Sequence, residues 1–203
     1  MLTLKLDLSP WIELTDDQFY ELCQHHRDYK FERNAKGELL MVPPTGGETG
    51  NRNMDLSYQL QSWSRRNPNL GIAFDSSTCF KLPNGANRSP DASWVKREKW
   101  EALTAEERRK FPPLCPDFVV ELREAKLSRR ESPTDSIKET REKMQEYREN
   151  GACLGWLIDP QTRSVEIYRS DREIEILQSP VTLSGEDVLP GFVLELRPVI
   201  GIN

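Results

Sequence analysis

Residues 118–122 read Phe-Val-Val-Glu-Leu, a short apolar run that carries one carboxylate, Glu121. An apolar run of this length after a proline, here Pro116, is typical of a strand that is covered on both faces and lies near the centre of a sheet. Burying an unpaired charge costs several kcal/mol, so such strands rarely carry a carboxylate. The sequence therefore predicts a partner for Glu121 inside the fold, and a salt bridge at the strand edge is the plainest one.

A second acid stands at the head of another short apolar run. Asp91 follows Pro90, and residues 92–95 (Ala-Ser-Trp-Val) are predicted to form a strand. Two strands that each present one carboxylate suggest a shared partner, and a divalent metal ion is the partner that carboxylate oxygens suit best. An acid after a proline is also common in turns, so a purely local role for Asp91 stays open.

The rest of the pattern predicts a single α/β domain over residues 1–203, with an N-terminal helix and hairpin (about residues 11–43) packed on the core. Helices are predicted at 15–26, 48–66, 96–110 and 136–150, a hairpin at 29–42, and strands at 71–74, 79–82, 92–95, 118–122, 154–158, 165–168, 174–177 and 189–196.

Composition excludes several kinds of protein. The net charge of −5 excludes a uniformly basic nucleic-acid binder, although not a locally basic cleft. The only histidines, His25 and His26, are adjacent and would face different directions on a helix, which argues against histidine catalysis. The four cysteines show no Cys-x-x-Cys spacing. The first residues lack the apolar core of a signal peptide, and no stretch approaches a membrane span, so we expect a cytoplasmic protein with no membrane contact.

Six runs, taken in order, resemble the Uma-type family of restriction-endonuclease-like proteins, a large cyanobacterial family of the PD-(D/E)XK nuclease superfamily. The runs are Pro-Thr-Gly-Gly-Glu-Thr-Gly-Asn-Arg-Asn at 44–53, Ser-Pro-Asp-Ala-Ser-Trp-Val at 89–95, Pro-Asp-Phe-Val-Val-Glu-Leu-Arg at 116–123, Lys-Met-Gln-Glu-Tyr at 143–147, Gly-Trp-Leu-Ile-Asp-Pro at 155–160 and Pro-Gly-Phe-Val-Leu at 190–194. The resemblance spans nearly the whole chain. It implies a restriction-endonuclease-like core with a mixed central β-sheet flanked by helices.

The resemblance also implies a metal site. Asp91 and Glu121 would be carboxylate ligands of Mg²⁺ or Mn²⁺, with the carbonyl oxygen of Leu122 as a third oxygen. Water on the ion would attack a phosphodiester of DNA while the ion stabilises the developing charge. Glu48, at the start of the second helix, matches the superfamily's helical acid and would bind metal or orient water. Its plainer interpretation is a first-turn acid that interacts favourably with the helix dipole.

The catalytic lysine is where this chain departs from the superfamily. The superfamily pattern places a lysine two residues after the strand glutamate, where this chain has Arg123. Arginine stays charged and can stabilise a transition state, but it is a poor general base. Lys143 matches the helical Lys-x-x-x-Tyr of the Uma-type family, so we expect Lys143 to do the catalytic work. A solvated helix lysine is the alternative.

A second departure follows the strand glutamate. The family usually runs from Glu-Leu-Arg almost directly into Ser-Pro-Thr-Asp, whereas residues 124–131 intervene here. Glu-Ala-Lys at 124–126 and Pro-Asp at 116–117 match the superfamily motif literally. We discount both because the strand pattern ends near Arg123 with Glu121 inside it. The insertion lies beside the predicted site and could alter substrate access.

The sequence thus favours a Mg²⁺-dependent endodeoxyribonuclease, and the resemblance suggests a homodimer because two sites are needed to cut two strands. A different class stays open: a catalytically weak or inert module that binds nucleic acid or protein and keeps the fold. Arg123, the insertion and the acidic net charge favour that class. A carboxylate-pair hydrolase acting on sugars is a third interpretation, but the sequence shows no aromatic-rich cleft. The residues alone do not separate DNA from RNA as the substrate.

Overall fold

The computed structural model of the protein describes residues 4–8, 11–123 and 133–201. The elements in chain order are β1 (Leu4–Leu6), α1 (Asp16–His25), β2 (Lys30–Arg33), β3 (Leu39–Val42), α2 (Gly47–Arg66), β4 (Gly71–Asp75), β5 (Phe80–Lys81), β6 (Asn87–Arg88), β7 (Ala92–Lys96), α3 (Arg97–Glu101), α4 (Ala105–Arg109), β8 (Phe118–Leu122), α5 (Pro133–Glu149), β9 (Leu154–Asp159), β10 (Ser164–Arg169), β11 (Glu175–Gln178), β12 (Thr182–Ser184), β13 (Val193–Glu195) and α6 (Arg197–Ile200). In these ranges, no helix is long and apolar enough to cross a membrane.

Six strands form a mixed central sheet in the order β11-β10-β9-β8-β7-β4. β8 and β9 run parallel, and the other neighbouring strands are antiparallel. Parallel neighbours need a crossover connection, and α5 lies in the one between β8 and β9. β8 is buried along its whole length, as its continuous apolar run predicts. The predicted α/β fold with a mixed sheet flanked by helices is confirmed.

The alternation of side chains along the strands gives this sheet two faces. One face carries Trp94, Phe118 and Trp156, which belong to an apolar cluster with residues of α2 and α6. The opposite face carries Val119 and Leu157, which belong to a second cluster with residues of α5 and of the β5 region. The sheet is therefore covered on both sides, by α2 on one and by α5 on the other.

The N-terminal segment contributes to a second sheet, with the order β1-β3-β2-β6-β5. α1, within the helix predicted at 15–26, begins with a capping box in which Thr15 and Gln18 each accept the other's backbone N–H. The predicted β2–β3 hairpin is also confirmed. Beyond the prediction, β2 pairs with β6 through Arg33 and Asn87. The hairpin therefore shares a sheet with strands that come shortly before β7.

The segment 96–110, predicted as one helix, forms two short helices instead. Thr104 accepts the backbone N–H of Glu107, and the side chain of Glu107 accepts the backbone N–H of Thr104. This capping box begins α4 and ends the continuity with α3, because an N-cap residue has non-helical backbone angles.

The chain after β11 also differs from the prediction. The strand predicted at 189–196 shortens to β13, because Pro190 and Gly191 form a turn in which Gly191 has a φ of +77°. β13 pairs with β12, which the sequence analysis missed. α5 begins at Pro133, one turn before the predicted start at Ser136. The predicted insertion at 124–131 lies outside the described residues.

Candidate active site

Asp91 and Glu121 lie side by side on neighbouring strands. β7 and β8 pair with Ala92 opposite Val120, so the next step of the antiparallel ladder brings Asp91 opposite Glu121 on the same face. The backbone N–H of Leu122 donates a hydrogen bond of 2.8 Å to Asp91 Oδ2 and orients that carboxylate at the end of β8. The structure therefore brings the two predicted acids together, on the face that α5 covers.

α5 contributes Lys143 and Tyr147, which are one helical turn apart and lie on the same side of the helix. Lys143 Nζ is 2.8 Å from Glu121 Oε1, and the Tyr147 hydroxyl donates to the same oxygen at 3.1 Å. Tyr147 is fully buried, and only 16% of the Lys143 side chain is exposed. The helical lysine of the sequence prediction thus reaches the strand glutamate, and it is not a solvated surface residue.

A further carboxylate, Glu32 of β2, belongs to this cluster and was missed by the sequence analysis. Its Oε1 lies 2.9 Å from Lys143 Nζ and accepts the backbone N–H of Ser89 at 3.0 Å. Its Oε2 lies 3.1 Å from Arg88 Nη1. Residues of a hairpin commonly alternate between core and solvent, so the local sequence gave no sign that Glu32 is buried. In the fold, three consecutive residues of β2 are buried, and Glu32 is only 4% exposed.

The two glutamates that share Lys143 differ in their electrostatics. Burial is the main cause that raises the pKa of Glu121 to about 7; the charges of Asp91 and Glu32 act in the same direction, and that of Lys143 opposes them. Burial acts in the same way on Glu32, but the positive charges around it, that of Lys143 first, lower its pKa to about 2. Lys143 is itself buried, yet its two carboxylate neighbours raise its pKa and keep it protonated at neutral pH.

The oxygens of Asp91 and Glu121 suit a divalent metal ion. Mg²⁺ is commonly held by one or two carboxylates and keeps several of its waters. Burial is the main cause of the raised pKa of Glu121, and the neighbouring charge of Asp91 adds to it; a cation bound between the two carboxylates would favour the ionised form of Glu121. Across the described ranges, no cluster of three or more His, Cys, Asp or Glu has a metal-binding arrangement. Asp91 and Glu121 are two carboxylates that could hold a hard cation, with the Leu122 carbonyl as a candidate third oxygen.

Glu48 does not join this cluster. It lies in the first turn of α2, its side chain is 88% exposed, and it forms an ion pair of 3.7 Å with Arg52 in the next turn. α2 covers the face of the sheet opposite to α5. The position fits a first-turn acid that interacts with the helix dipole, which the sequence analysis gave as the plainer interpretation.

Arg123 forms an ion pair with Asp159 and not, among the described residues, with Asp91 or Glu121. Its Nη1 lies 2.5 Å from Asp159 Oδ2, and both side chains are buried. Asp159 also accepts the backbone N–H of Gln161 at 2.9 Å. The residue at the usual position of the superfamily lysine is therefore engaged at the ends of β8 and β9.

Two other sequence features are accounted for by structural contacts. Asp117, in the discounted Pro-Asp, is buried and accepts the backbone N–H of Lys96 and the ammonium of Lys99. The loop 84–88 is held against the end of α5, because Asn84 N donates to Asn150 Oδ1 at 2.8 Å and Asn84 Nδ2 donates to Glu146 Oε1 at 3.1 Å.

Comparisons with known proteins agree with this fold. The sequence profile of the Uma2 family, described as "Putative restriction endonuclease", matches residues 16–197 and confirms the predicted resemblance. A crystal structure at 1.96 Å resolution of a putative nuclease belonging to DUF820, from Anabaena variabilis ATCC 29413, is similar with a TM-score of 0.63. The two chains are 20% identical, and the match covers 84% of this chain and 89% of that one. No match was found among curated proteins.

Proposed function

Because this chain belongs to the Uma2 family of putative restriction endonucleases, we propose that it is a Mg²⁺- or Mn²⁺-dependent endonuclease that hydrolyses phosphodiester bonds of DNA. The observation that carries the proposal is the neighbouring pair Asp91 and Glu121 with the ammonium of Lys143 2.8 Å from Glu121. Buried ionised groups are expensive for a fold, and a carboxyl group with a shifted pKa, here Glu121, is more common at functional sites than elsewhere.

Asp91 and Glu121 would hold the ion, which when bound lowers the pKa of a water molecule and stabilises the charge that develops on the phosphate. Asp91 keeps its orientation through the backbone N–H of Leu122. On Glu121, the contacts from Lys143 and Tyr147 both end on Oε1. We therefore assign Glu121 Oε2 to the ion.

Lys143 acts as a positive charge and not as a general base in this proposal. Its carboxylate neighbours raise its pKa, so the ammonium stays protonated at neutral pH. A protonated lysine can donate to a phosphate oxygen and stabilise the transition state where charge accumulates. Arg123 is left out of the proposed site because its guanidinium is bound to Asp159.

The proposal includes a homodimer, since a duplex has two strands to cut and each chain offers one Asp91–Glu121 pair. Sedimentation of the protein with a short DNA duplex in Ca²⁺ would test this part separately. Two protein chains per duplex are expected, and one chain per duplex would contradict it.

The second candidate function is a binding module that keeps the fold without efficient catalysis. The observation in its favour is that the cluster is already balanced by its own side chains: Lys143 lies within 2.9 Å of both Glu32 and Glu121. A site that satisfies itself in this way could persist for structural reasons. The two functions differ in metal binding, because the module does not need an ion at Asp91.

Cleavage of supercoiled and linear DNA with Mg²⁺ or Mn²⁺, for wild type beside Asp91→Asn, tests the proposal. Metal-dependent cleavage by the wild type only is the expected result. Equal cleavage by both proteins would show that the chemistry is elsewhere or comes from a contaminant. No cleavage by either protein, across both metals and both DNA forms, would favour the binding module.

A further inference from the structure

Glu32 reaches the candidate active site from outside the central sheet. It lies on β2, in the sheet formed by the N-terminal hairpin with β5 and β6, whereas Asp91 directly precedes β7 and Glu121 lies on β8 of the central sheet. In the chain, Glu32 and Lys143 are 111 positions apart, yet their charged groups are 2.9 Å from each other. The N-terminal sheet therefore brings the buried carboxylate of Glu32 into contact with Lys143, the proposed catalytic lysine.

The two basic partners of Glu32, Arg88 and Lys143, depend on it to different degrees. Arg88 has a second carboxylate, Glu146, whose Oε2 lies 2.5 Å from Arg88 Nε. Arg88 would thus stay paired without Glu32. Lys143, by contrast, has only two carboxylate contacts among the described residues, and the other one is Glu121. Glu121 is the carboxylate that the proposed function assigns to the metal ion.

This sharing matters once an ion is present. A divalent cation on Glu121 repels the ammonium of Lys143 and competes for the same carboxylate. Glu32 also pairs with Arg88, but through its other oxygen, Oε2, whereas its Oε1 contacts Lys143 and accepts the backbone N–H of Ser89. Lys143 would then remain beside the metal-bound carboxylates because Glu32, and not Glu121, retains it. Buried charges are tolerated when they are paired and hydrogen-bonded in this way.

We infer that Glu32 is a positioning residue: it retains the ammonium of Lys143 beside the Asp91–Glu121 pair when Glu121 binds the metal ion. The N-terminal sheet is then part of the active site and not only a cover over the core. The effect on cleavage rests on the proposed nuclease function. The effect on Lys143 itself requires only that Glu121 binds the metal ion, and not that DNA is cleaved.

A double-mutant cycle in the cleavage assay tests the route of the effect. Glu32→Gln keeps the size of the side chain and removes its charge, and we expect kcat to fall roughly 10–100-fold with KM for DNA little changed. If Glu32 acts through Lys143, Glu32→Gln has no further effect in a Lys143→Ala background. Equal losses in both backgrounds, or no loss in the wild-type background, would overturn the inference.

Glu166 offers a matched control in the same chain. It is also a buried glutamate bound to a basic residue of α5, with its Oε1 2.6 Å from Arg141 Nη2, and it accepts the Tyr168 hydroxyl. Glu166→Gln removes a comparable charge without touching Lys143. It should leave kcat close to that of the wild type, so a merely structural effect of losing a buried glutamate would show in both variants.

The ammonium group of Lys143 can be followed without any cleavage. In ¹⁵N-labelled protein, its NMR signal is identified by its absence in Lys143→Ala, and hydrogen exchange is measured with and without Mg²⁺. In Mg²⁺ we expect exchange at least about 10-fold faster in Glu32→Gln than in wild type or Glu166→Gln, because the retained ammonium loses its buried partner.

Unchanged exchange in Glu32→Gln would overturn the inference whether or not the protein cleaves DNA. A wild-type protein that cleaves no DNA would instead contradict the proposed function. The exchange rate of the Lys143 ammonium would then still test the role of Glu32. If Glu32→Gln does not fold, Glu32→Asp replaces it. The aspartate keeps the charge but is shorter by one methylene, so exchange should again be faster and kcat again lower than in wild type, and no change in either would overturn the inference.

Discussion

Both faces of the central sheet bury apolar side chains, but the face under α5 also buries charged ones, although the same strands form both faces. On the α2 side, Phe118 and Trp156 pack edge to face with ring centroids 4.7 Å apart. On the α5 side, Asp91 directly before β7 lies beside Glu121 near the end of β8. Alternate residues of one strand can therefore have different roles, one in packing and the other in chemistry. Apolar burial stabilises the fold, whereas buried charges contribute little net stability and are better explained by chemistry.

The largest effect on stability is expected on the α2 side. Leu60 of α2 is 1% exposed and belongs to the apolar cluster on that face. Leu60→Ala should lower the free energy of unfolding by about 2–5 kcal/mol, because it leaves a cavity. Denaturant unfolding measures this, with Gln61→Ala at the neighbouring exposed position as the control. Cleavage per folded molecule should stay near the wild-type rate, and a lost activity with intact stability would contradict the separation of the two faces.

On the α5 side, Lys143→Ala should lower kcat roughly 100-fold, since one charge-stabilising donor at a transition state typically contributes that much. The fold should survive, because removing the lysine leaves Glu121 bonded to Tyr147 and Glu32 paired with Arg88. Lys138→Ala is the control on the same helix, where the lysine side chain is 76% exposed. Full activity of Lys143→Ala would remove the lysine from the mechanism.

The pH dependence of stability distinguishes the faces without a substrate. Glu121 has a pKa of about 7 in the folded protein against 4.5 as its ordinary value, so the folded state binds more protons between these two pH values. Its contribution to stability is therefore present at low pH and declines as the pH rises from about 5 to 7. Unfolding of metal-free wild type and Glu121→Gln across this range should show the decline only in wild type. Parallel curves would contradict the raised pKa.

The smallest effect is expected for Glu48→Ala. Glu48 is exposed and lies on α2, which covers the face of the sheet opposite to α5. Its loss should change the cleavage rate by less than about threefold, as is usual for an exposed residue outside the site. Steady-state kinetics beside Asp91→Asn measure the difference. A large loss would mean that the start of α2 reaches the metal, as the superfamily pattern implies.

Local pattern was sufficient where the strands themselves determine the geometry. The apolar runs around Asp91 and Glu121 predicted β7 and β8, and neighbouring strands in register bring the two acids together. Lys143 followed from the family resemblance and from its place on a helix that covers the sheet. The positions of Asp91, Glu121 and Lys143 all depend on elements that are close in the chain or on strands that pair directly with each other.

Long-range packing decided what the sequence did not show. Glu32 is buried because a second sheet covers the site, and nothing in the hairpin sequence indicates that contact. Arg123 lies where the β8 pairing ends, so its direction depends on Asp159 of β9 and not on strand alternation. Gly191 turns the chain before β13, which left only a short strand for β12 to pair with.

Metal binding by the free protein tests the central claim most directly. Isothermal titration with Mn²⁺ should show about one ion per chain for wild type and for Glu166→Gln, which keeps the pair intact. Asp91→Asn should bind at least about 10-fold more weakly, since it loses one of two carboxylate ligands. Equal binding by Asp91→Asn and wild type, or no binding by wild type, would contradict a metal site at Asp91 and Glu121 on the α5 face of the sheet.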